Sequence, residues 1–330
     1  MREIAFIKQN KSKWLAFEKS LKLKKKQNPD ELADSYIRLL NDLSYSQTYY
    51  SKSKTTIYLN FLVSQIYRKI YKTRRMEHKR IVSFFTTEVP LLVYQNRSKV
   101  LFAFILFFFF TALGAISACY DDMFVRLILG DNYVDMTLNN IKNGDPMAVY
   151  KSHGALFSFI GITSNNILVA AKAFIYGLTA GILTFYVAIQ NGIMLGSFQY
   201  FFYQHGVFGE SLRGIWLHGA MEIFSIVIST AAGFVMASSL LFPKTYSRLY
   251  SFRQGVQQGL KIYISTLPFF VAAGCIEGFV TRYSDSMPLW LSLLIIFTTL
   301  SLISFYYLIY PYIVIQKQKH YGKFSTLQKA

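Results

Sequence analysis

The sequence predicts an all-α polytopic membrane protein, with about six transmembrane helices behind an N-terminal cytoplasmic helical bundle. Three observations predict it. The 330 residues are 53% hydrophobic and 17% aromatic, more apolar than an ordinary soluble domain. Runs of about 20 apolar residues, enough to cross a bilayer as a helix, recur after residue 99. Charge is also lopsided. Residues 1–99 hold 21 Lys/Arg against 8 Asp/Glu, so +13 of the total +18 lies in the first third. A basic arm followed by a membrane domain has that profile. The division expected is 1–98 for the arm with an interfacial segment, 99–316 for the membrane domain, and 317–330 for a basic tail.

The arm reads as folded helices. In "NPDELADSYIRLLNDLSYS", Asn28 is an N-cap, Pro29 takes the first helical position and Glu31 the capping-box position. Leu32, Tyr36, Leu39, Leu40 and Leu43 then make an apolar stripe at helical spacing. Trp14, Phe17 and Leu21 do so on an earlier helix. Ile57, Phe61, Leu62, Ile66 and Ile70 are expected to face inward on a third, from about 54 to 80. That helix ends in a basic cluster, Arg74, Arg75, Lys79 and Arg80, followed by Phe84 and Phe85. A cluster so placed suits anionic lipid headgroups. Nucleic acid is the competing partner, and it is not expected, because the juxtamembrane position already accounts for the charge. "KLKKK", 22–26, reads as a solvated helix end.

The first span is "VLFAFILFFFFTALGAISACY", 100–120. Next come 165–190 and a shorter run at 191–206. Asn191-Gly192 is read as a turn or helix break between them, so 191–206 is a full span, a broken helix or a re-entrant segment. Spans at about 213–241, 261–280 and 288–315 follow. Lys/Arg placement fixes the direction. The arm, the loop 242–261 (Lys244, Arg248, Arg253, Lys261) and the tail (Lys317, Lys319, Lys323, Lys329) fall on one side. The segment 121–163, with five Asp and three Lys/Arg, falls on the other. The expectation is a multi-pass membrane protein with both termini cytoplasmic and 121–163 extracytoplasmic. Cys119 and Cys275 cannot build a disulfide framework and read as small core residues. No apolar run precedes a small-residue cleavage site in the first 20 residues, so no signal peptide is expected.

Ionisable side chains at membrane depth are costly. Four are expected there: Lys172, His218, Glu222 and Glu277. His218 and Glu222 are four apart, hence on one helix face, and with Glu277 they share the outer half of the membrane. Lys172 either joins them or snorkels outward. Three readings follow. The groups lock two helices together as a buried polar network. They handle a proton, because a desolvated carboxyl beside an imidazole can trade one. Or His218 and two carboxylates hold a metal that activates water. The spacing is not the HExxH of a zinc protease, so neither a resident metal nor another cofactor is expected, and no catalytic residue is assigned. Small residues concern packing. "GLTAG" (Gly177, Gly181) and "GIMLG" (Gly192, Gly196) are GxxxG pairs, and Gly219 keeps its span slim. GxxxG faces also leave a homodimer open.

The order of "NNILVAAKAFIYGLTAGILTFYVAIQNGIMLGSF", "HGAMEIFSIVISTAAGF" and "FFVAAGCIEGFVT" resembles the stage II sporulation protein M family of bacterial membrane proteins. The motif positions are Asn165-Asn166 opening a span, Gly177 and Gly181 within it, and Asn191-Gly192 with Gly196. They continue with His218-Gly219 and Glu222, then Ile276-Glu277-Gly278. In the arm, "FIKQNKSKWLAFEK", "YIRLLNDLSYS" and "YLNFLVSQIY" look like the family's N-terminal helices. The resemblance implies a non-catalytic scaffold or recruiter among other envelope membrane proteins. The sporulation member belongs to the machinery that remodels peptidoglycan during engulfment. Relatives occur in bacteria that do not sporulate, beside MoxR-type ATPases and RDD-type membrane proteins. A proton-linked transporter built on the His/Glu cluster is the alternative, and an intramembrane metal-dependent hydrolase the third reading.

Overall fold

The computed structural model describes residues 2–22, 29–71, 77–151 and 154–327. All regular structure among them is helical. The chain divides into two compact units, 1–78 and 79–330.

The first unit holds α1 (Glu3–Lys22), α2 (Pro29–Tyr49) and α3 (Lys54–Tyr71). Phe6 and Trp14 of α1, Leu39 and Leu43 of α2, and Leu59, Leu62, Val63 and Ile66 of α3 make its core. Polar ties join the helices. Asp42 accepts from Lys13 Nζ at 2.7 Å and from Trp14 Nε1 at 2.9 Å. The Ser46 and Thr56 hydroxyls meet at 2.6 Å. The inward face of α3 differs from the expected one: Ile57 and Phe61 are exposed. A helix as apolar as α3 carries two candidate stripes. The 59/62/63/66 stripe is buried, and Ile57 and Phe61 are left on the far side. Leu40 is exposed for the same reason. Asn28, Arg74, Arg75 and most of "KLKKK" lie outside the described residues.

The division falls inside α4 (Glu77–Ser83), and the second unit continues with a π-helical turn (Phe84–Glu88) and α5 (Val89–Gln95). The expected boundary at 98 moves upstream, because this segment belongs to the membrane core. Val89 and Val93 are buried in it, and Phe84 packs against it. The Tyr306 hydroxyl donates to the Phe85 carbonyl at 2.9 Å, and Lys261 pairs with Glu88 at 2.8 Å. Arg80 is exposed; the side chain of Lys79 lies outside the described set.

Then come α6 (Arg97–Tyr120), the short α7 (Asp122–Leu129) and α8 (Asp131–Lys142), α9 (Ala155–Ile175), α10 (Ile182–Gln204) and α11 (Phe208–Leu241). After them follow α12 (Arg248–Cys275), α13 (Leu289–Ser304) and α14 (Tyr310–Leu327). Five helices among the described residues are long and apolar enough to cross a membrane: 97–120, 155–179, 208–241, 248–283 and 289–318. The chain is an all-α polytopic membrane protein. α10 is not among the five, because Gln190, Asn191, Gln199 and Gln204 dilute its apolar content. It is nevertheless a long helix packed along α6.

α11 is the axis of the unit. It touches α6, α9, α10, α12 and α13 and is buried over most of its length. Its small residues make that possible. A Cβ on Gly259 of α12 would lie 2.7 Å from the Ala232 carbonyl oxygen, and Gly233 and Gly177 approach backbone more closely still. α7 and α8 form a hairpin whose Arg126 binds Asp131 at 3.1 Å and Asp135 at 2.8 Å.

Several expected boundaries are corrected. Asn191-Gly192 is not a break; α10 runs through it. Asn191 donates to the Val187 carbonyl of its own helix at 2.8 Å, so its polarity is satisfied without leaving the helix. The break falls earlier, in a 3₁₀ turn at Tyr176–Thr179 followed by Ala180 and Gly181 with φ of 55° and 87°. Gly181 therefore serves as a left-handed turn residue, and "GLTAG" is not one helical face. Asn165 and Asn166 lie in the middle of α9 and open nothing, because that helix starts at Ala155. The connecting segment after 121 accordingly ends near 154, not 163. Gly192 and Gly196 do seat backbone: a Cβ on Gly192 would be 2.8 Å from the Phe107 carbonyl oxygen of α6. That face is used within the chain, which removes it as a homodimer surface. Gly219 meets only side chains of its own helix at ordinary contact, so it marks no close approach. Cys119 and Cys275 are exposed, not core.

Candidate functional site

The structure brings His218, Glu222 and Glu277 together. One ligand atom from each lies within 4.8 Å of the others. His218 and Glu222 come from consecutive turns of α11. Glu277 comes from the π-helical turn Ile276–Val280 that continues α12. A π turn inserts one residue per turn into a helix and re-aims the side chains that follow. Here it carries Glu277 to α11, and Thr281, opening the 3₁₀ turn that follows, comes with it. His218 is 3% exposed and Glu277 7%, while Glu222 is half-buried, so the cluster is closed except beside Glu222.

The partners are specific. His218 Nε2 lies 3.6 Å from Glu277 Oε2, beyond hydrogen-bond length. His218 Nδ1 lies 3.1 Å from Thr281 Oγ1. The Thr281 hydroxyl donates to the Ile276 carbonyl at 3.3 Å, which leaves its oxygen to accept from an Nδ1–H. In that arrangement the imidazole proton sits on Nδ1 and the Nε2 lone pair faces the carboxyls; the opposite tautomer, with the Thr281 hydroxyl donating to Nδ1, satisfies the same contact. Asn166 Nδ2 of α9 donates to Glu222 Oε1 at 2.5 Å. Glu277 Oε2 is buried with no hydrogen-bond partner. On α8, Tyr133 approaches from the connecting segment. Burial, with the nearby Glu277 carboxyl adding to it and the Thr137 hydroxyl opposing, pushes its phenol up to about 12. A phenol held neutral there remains a donor.

Lys172 is not part of the cluster. It is exposed, one turn from the C-terminal end of α9, because α9 starts ten residues earlier than expected and Lys172 shifts to its other end. Asn165 is exposed beside Asn166. Asn166 stands in the sequence as a motif position, and nothing there shows its contact with Glu222. The available signal is the Asn165-Asn166 pair inside an otherwise apolar run. Thr281 follows Glu277 by four residues, and Tyr133 lies in a segment without motifs; neither is singled out by pattern.

A buried and a half-buried carboxyl this close need positive charge or a proton between them. Among the described residues, no Lys or Arg forms an ion pair with either. The arrangement can therefore hold a proton or a cation, or tie α9, α11 and α12 into one register.

A second feature lies where α6 and α12 start and α11 ends. A cavity of about 340 Å³ is lined by Asn96, Lys99, Ser238, Ser239, Lys244, Tyr246, Gln254 and Gln258, among others. Lys244 has φ 55°, a left-handed backbone at the lip.

Comparison with known families gives two matches. Residues 4–72 match a domain of unknown function. Residues 103–282 match the family described as stage II sporulation protein M. No curated protein and no solved structure matches the chain. The second match spans α6 to the turn bearing Glu277 and Thr281, the whole frame of the cluster. The chain belongs to the stage II sporulation protein M family.

Proposed function

We propose that this chain is a non-catalytic organising component of a bacterial envelope complex. It sits in the inner membrane with both termini on the cytoplasmic side, and its first unit recruits partners. The observation that carries the reading is that unit: a separately cored three-helix bundle that leaves Ile57 and Phe61 exposed one turn apart on α3. Exposed apolar side chains grouped on one face suit a protein partner. The partners expected are other envelope membrane proteins. We assign the basic charge of the arm, and the lysine-lined cavity at Lys99 and Lys244, to anionic lipid headgroups rather than nucleic acid. The test is co-purification from native membranes in mild detergent, read by mass spectrometry, with the full chain and a version lacking residues 1–78. Partners bound to the full chain and lost with the bundle support the reading. A chain that emerges alone in both forms refutes it.

The buried His218/Glu222/Glu277 cluster favours a second reading, a proton-linked permease. That reading expects Glu222→Gln or Glu277→Gln to leave protein level unchanged and abolish pH-dependent flux in proteoliposomes. Normal flux in both variants removes it.

A further inference from the structure

We infer that His218, Glu222 and Glu277 bind a divalent first-row transition-metal ion and leave one coordination position open on the Glu222 side. This goes beyond the organising role and does not depend on it.

The donor set comes first. One imidazole nitrogen and two carboxylate oxygens, from two helices, lie within 4.8 Å of one another. Ligands bound at about 2.1 Å in a tetrahedron are about 3.4 Å apart. The 3.6 Å between His218 Nε2 and Glu277 Oε2 is within a few tenths of that. Glu222, the least buried of the three, is the side chain that must move to close the remaining edges.

The orientation of the imidazole comes second. A metal-bound histidine donates its other ring N–H to a fixed acceptor, which sets tautomer and ring plane. Thr281 Oγ1, 3.1 Å from Nδ1, takes that role once a metal on Nε2 sets the tautomer, with its own hydrogen on the Ile276 carbonyl. In that tautomer Nε2 presents its lone pair towards the Glu277 carboxyl, 3.6 Å away. A positive ion between them resolves that arrangement. Asn166 plays the same part for Glu222, holding its Oε1 in place.

Third is the unpaired acceptor. Glu277 Oε2 is buried and without a hydrogen bond, which is costly unless a ligand satisfies it. Two carboxylates and a neutral imidazole carry a formal charge that a divalent ion balances, and no basic side chain does so among the described residues. The nitrogen donor and the small ligand count argue against Ca²⁺, which takes six to eight oxygens. The absence of a thiolate from the cluster argues against Cu(I). Zn²⁺, Co²⁺, Fe²⁺ and Mn²⁺ remain as the class.

The test uses the full-length protein in detergent, stripped with a chelator and titrated with Co²⁺, whose visible d–d absorption reports its ligands. We expect saturation at one equivalent and displacement by Zn²⁺. Thr281→Val keeps all three ligands and should weaken Co²⁺ binding about 10–100-fold. Glu277→Gln and His218→Gln should weaken it by more than that. Lys172→Ala, outside the site, should bind like wild type. Circular dichroism and gel filtration establish that each variant is folded. If Glu277→Gln does not fold, the wild-type titration and Thr281→Val still decide. Folded wild-type protein without saturable Co²⁺ binding overturns the inference. So does Thr281→Val, or a folded Glu277→Gln, binding as tightly as wild type.

Discussion

The seam between α6 and α10 makes the sharpest stability test, through Gly196→Ala. An ideal Cβ on Gly196 would lie 2.7 Å from the Ala115 nitrogen, and nearer still to the Thr111 carbonyl oxygen. Both are backbone atoms of α6, so no side chain can swing aside. Ordinary contact needs about 3.5 Å, so the two helices must part by about 0.8 Å or more. A radial gap of that size forfeits roughly a quarter to a half of each contact along the seam. Gly192 beside Phe107, and the Ser197 hydroxyl on the Gly114 carbonyl at 3.3 Å, loosen with it. Overpacking in a filled interior costs about 1–3 kcal/mol, and a backbone-to-backbone clash belongs near the top of that range. The matched control is Gly161→Ala. Gly161 is also inside a helix, α9, but its Cβ would meet nothing within 4 Å. Alanine there should be neutral or better by up to about 1 kcal/mol. The assay is thermal unfolding of the detergent-purified protein, followed by loss of the monodisperse gel-filtration peak. A Gly196→Ala midpoint equal to wild type, or equal losses in both variants, refutes close backbone packing as the reason for glycine at 196.

Other predictions address the remaining elements. Asn191→Ala should shift the melting midpoint little, since its amide bonds only to Val187 of its own helix; a large loss would restore a special role at that position. Asp42→Ala removes the acceptor for Lys13 and Trp14 and should cost the first unit about 1–2 kcal/mol, seen as faster amide exchange across residues 6–14 and 39–46. Glu3 accepts from Ser53 and Thr55, and these hydrogen bonds hold its carboxyl below the usual range. A depressed folded-state value means stabilisation above the unfolded-state value that disappears as pH falls through the folded one. Amide protection at 53–57 should therefore drop in acid, and Glu3→Gln should abolish that pH dependence. Ile57→Ser with Phe61→Ser should leave the bundle folded, as judged by exchange, yet lose the partners that co-purify with the full chain.

The sequence by itself determined the class of the protein and much of its chemistry. Apolar runs of spanning length need only local composition to be read, so α6, α11 and the span 289–318 lie close to their expected positions. The i,i+4 spacing of His218 and Glu222 likewise fixes a shared face without any tertiary knowledge. Tertiary structure decided which breaks are real and which small residues are contacts. Asn191-Gly192 carries a stronger turn signal than Ala180-Gly181, yet α10 absorbs the first and the chain bends at the second. The amide of Asn191 finds an acceptor one turn back, and packing against α6 needs a continuous helix. Ile57 and Phe61 fit a helical stripe as well as Leu59 and Val63 do, and only the position of α1 and α2 chose between them. Asn166 reached Glu222, and Thr281 reached His218, through helices far apart in sequence. In a membrane helix the lipid-facing and protein-facing sides are equally apolar, so hydrophobic pattern marks the span but not its inner face. That face is set by where backbones can touch and where buried polar groups find each other, and both are properties of the assembled bundle.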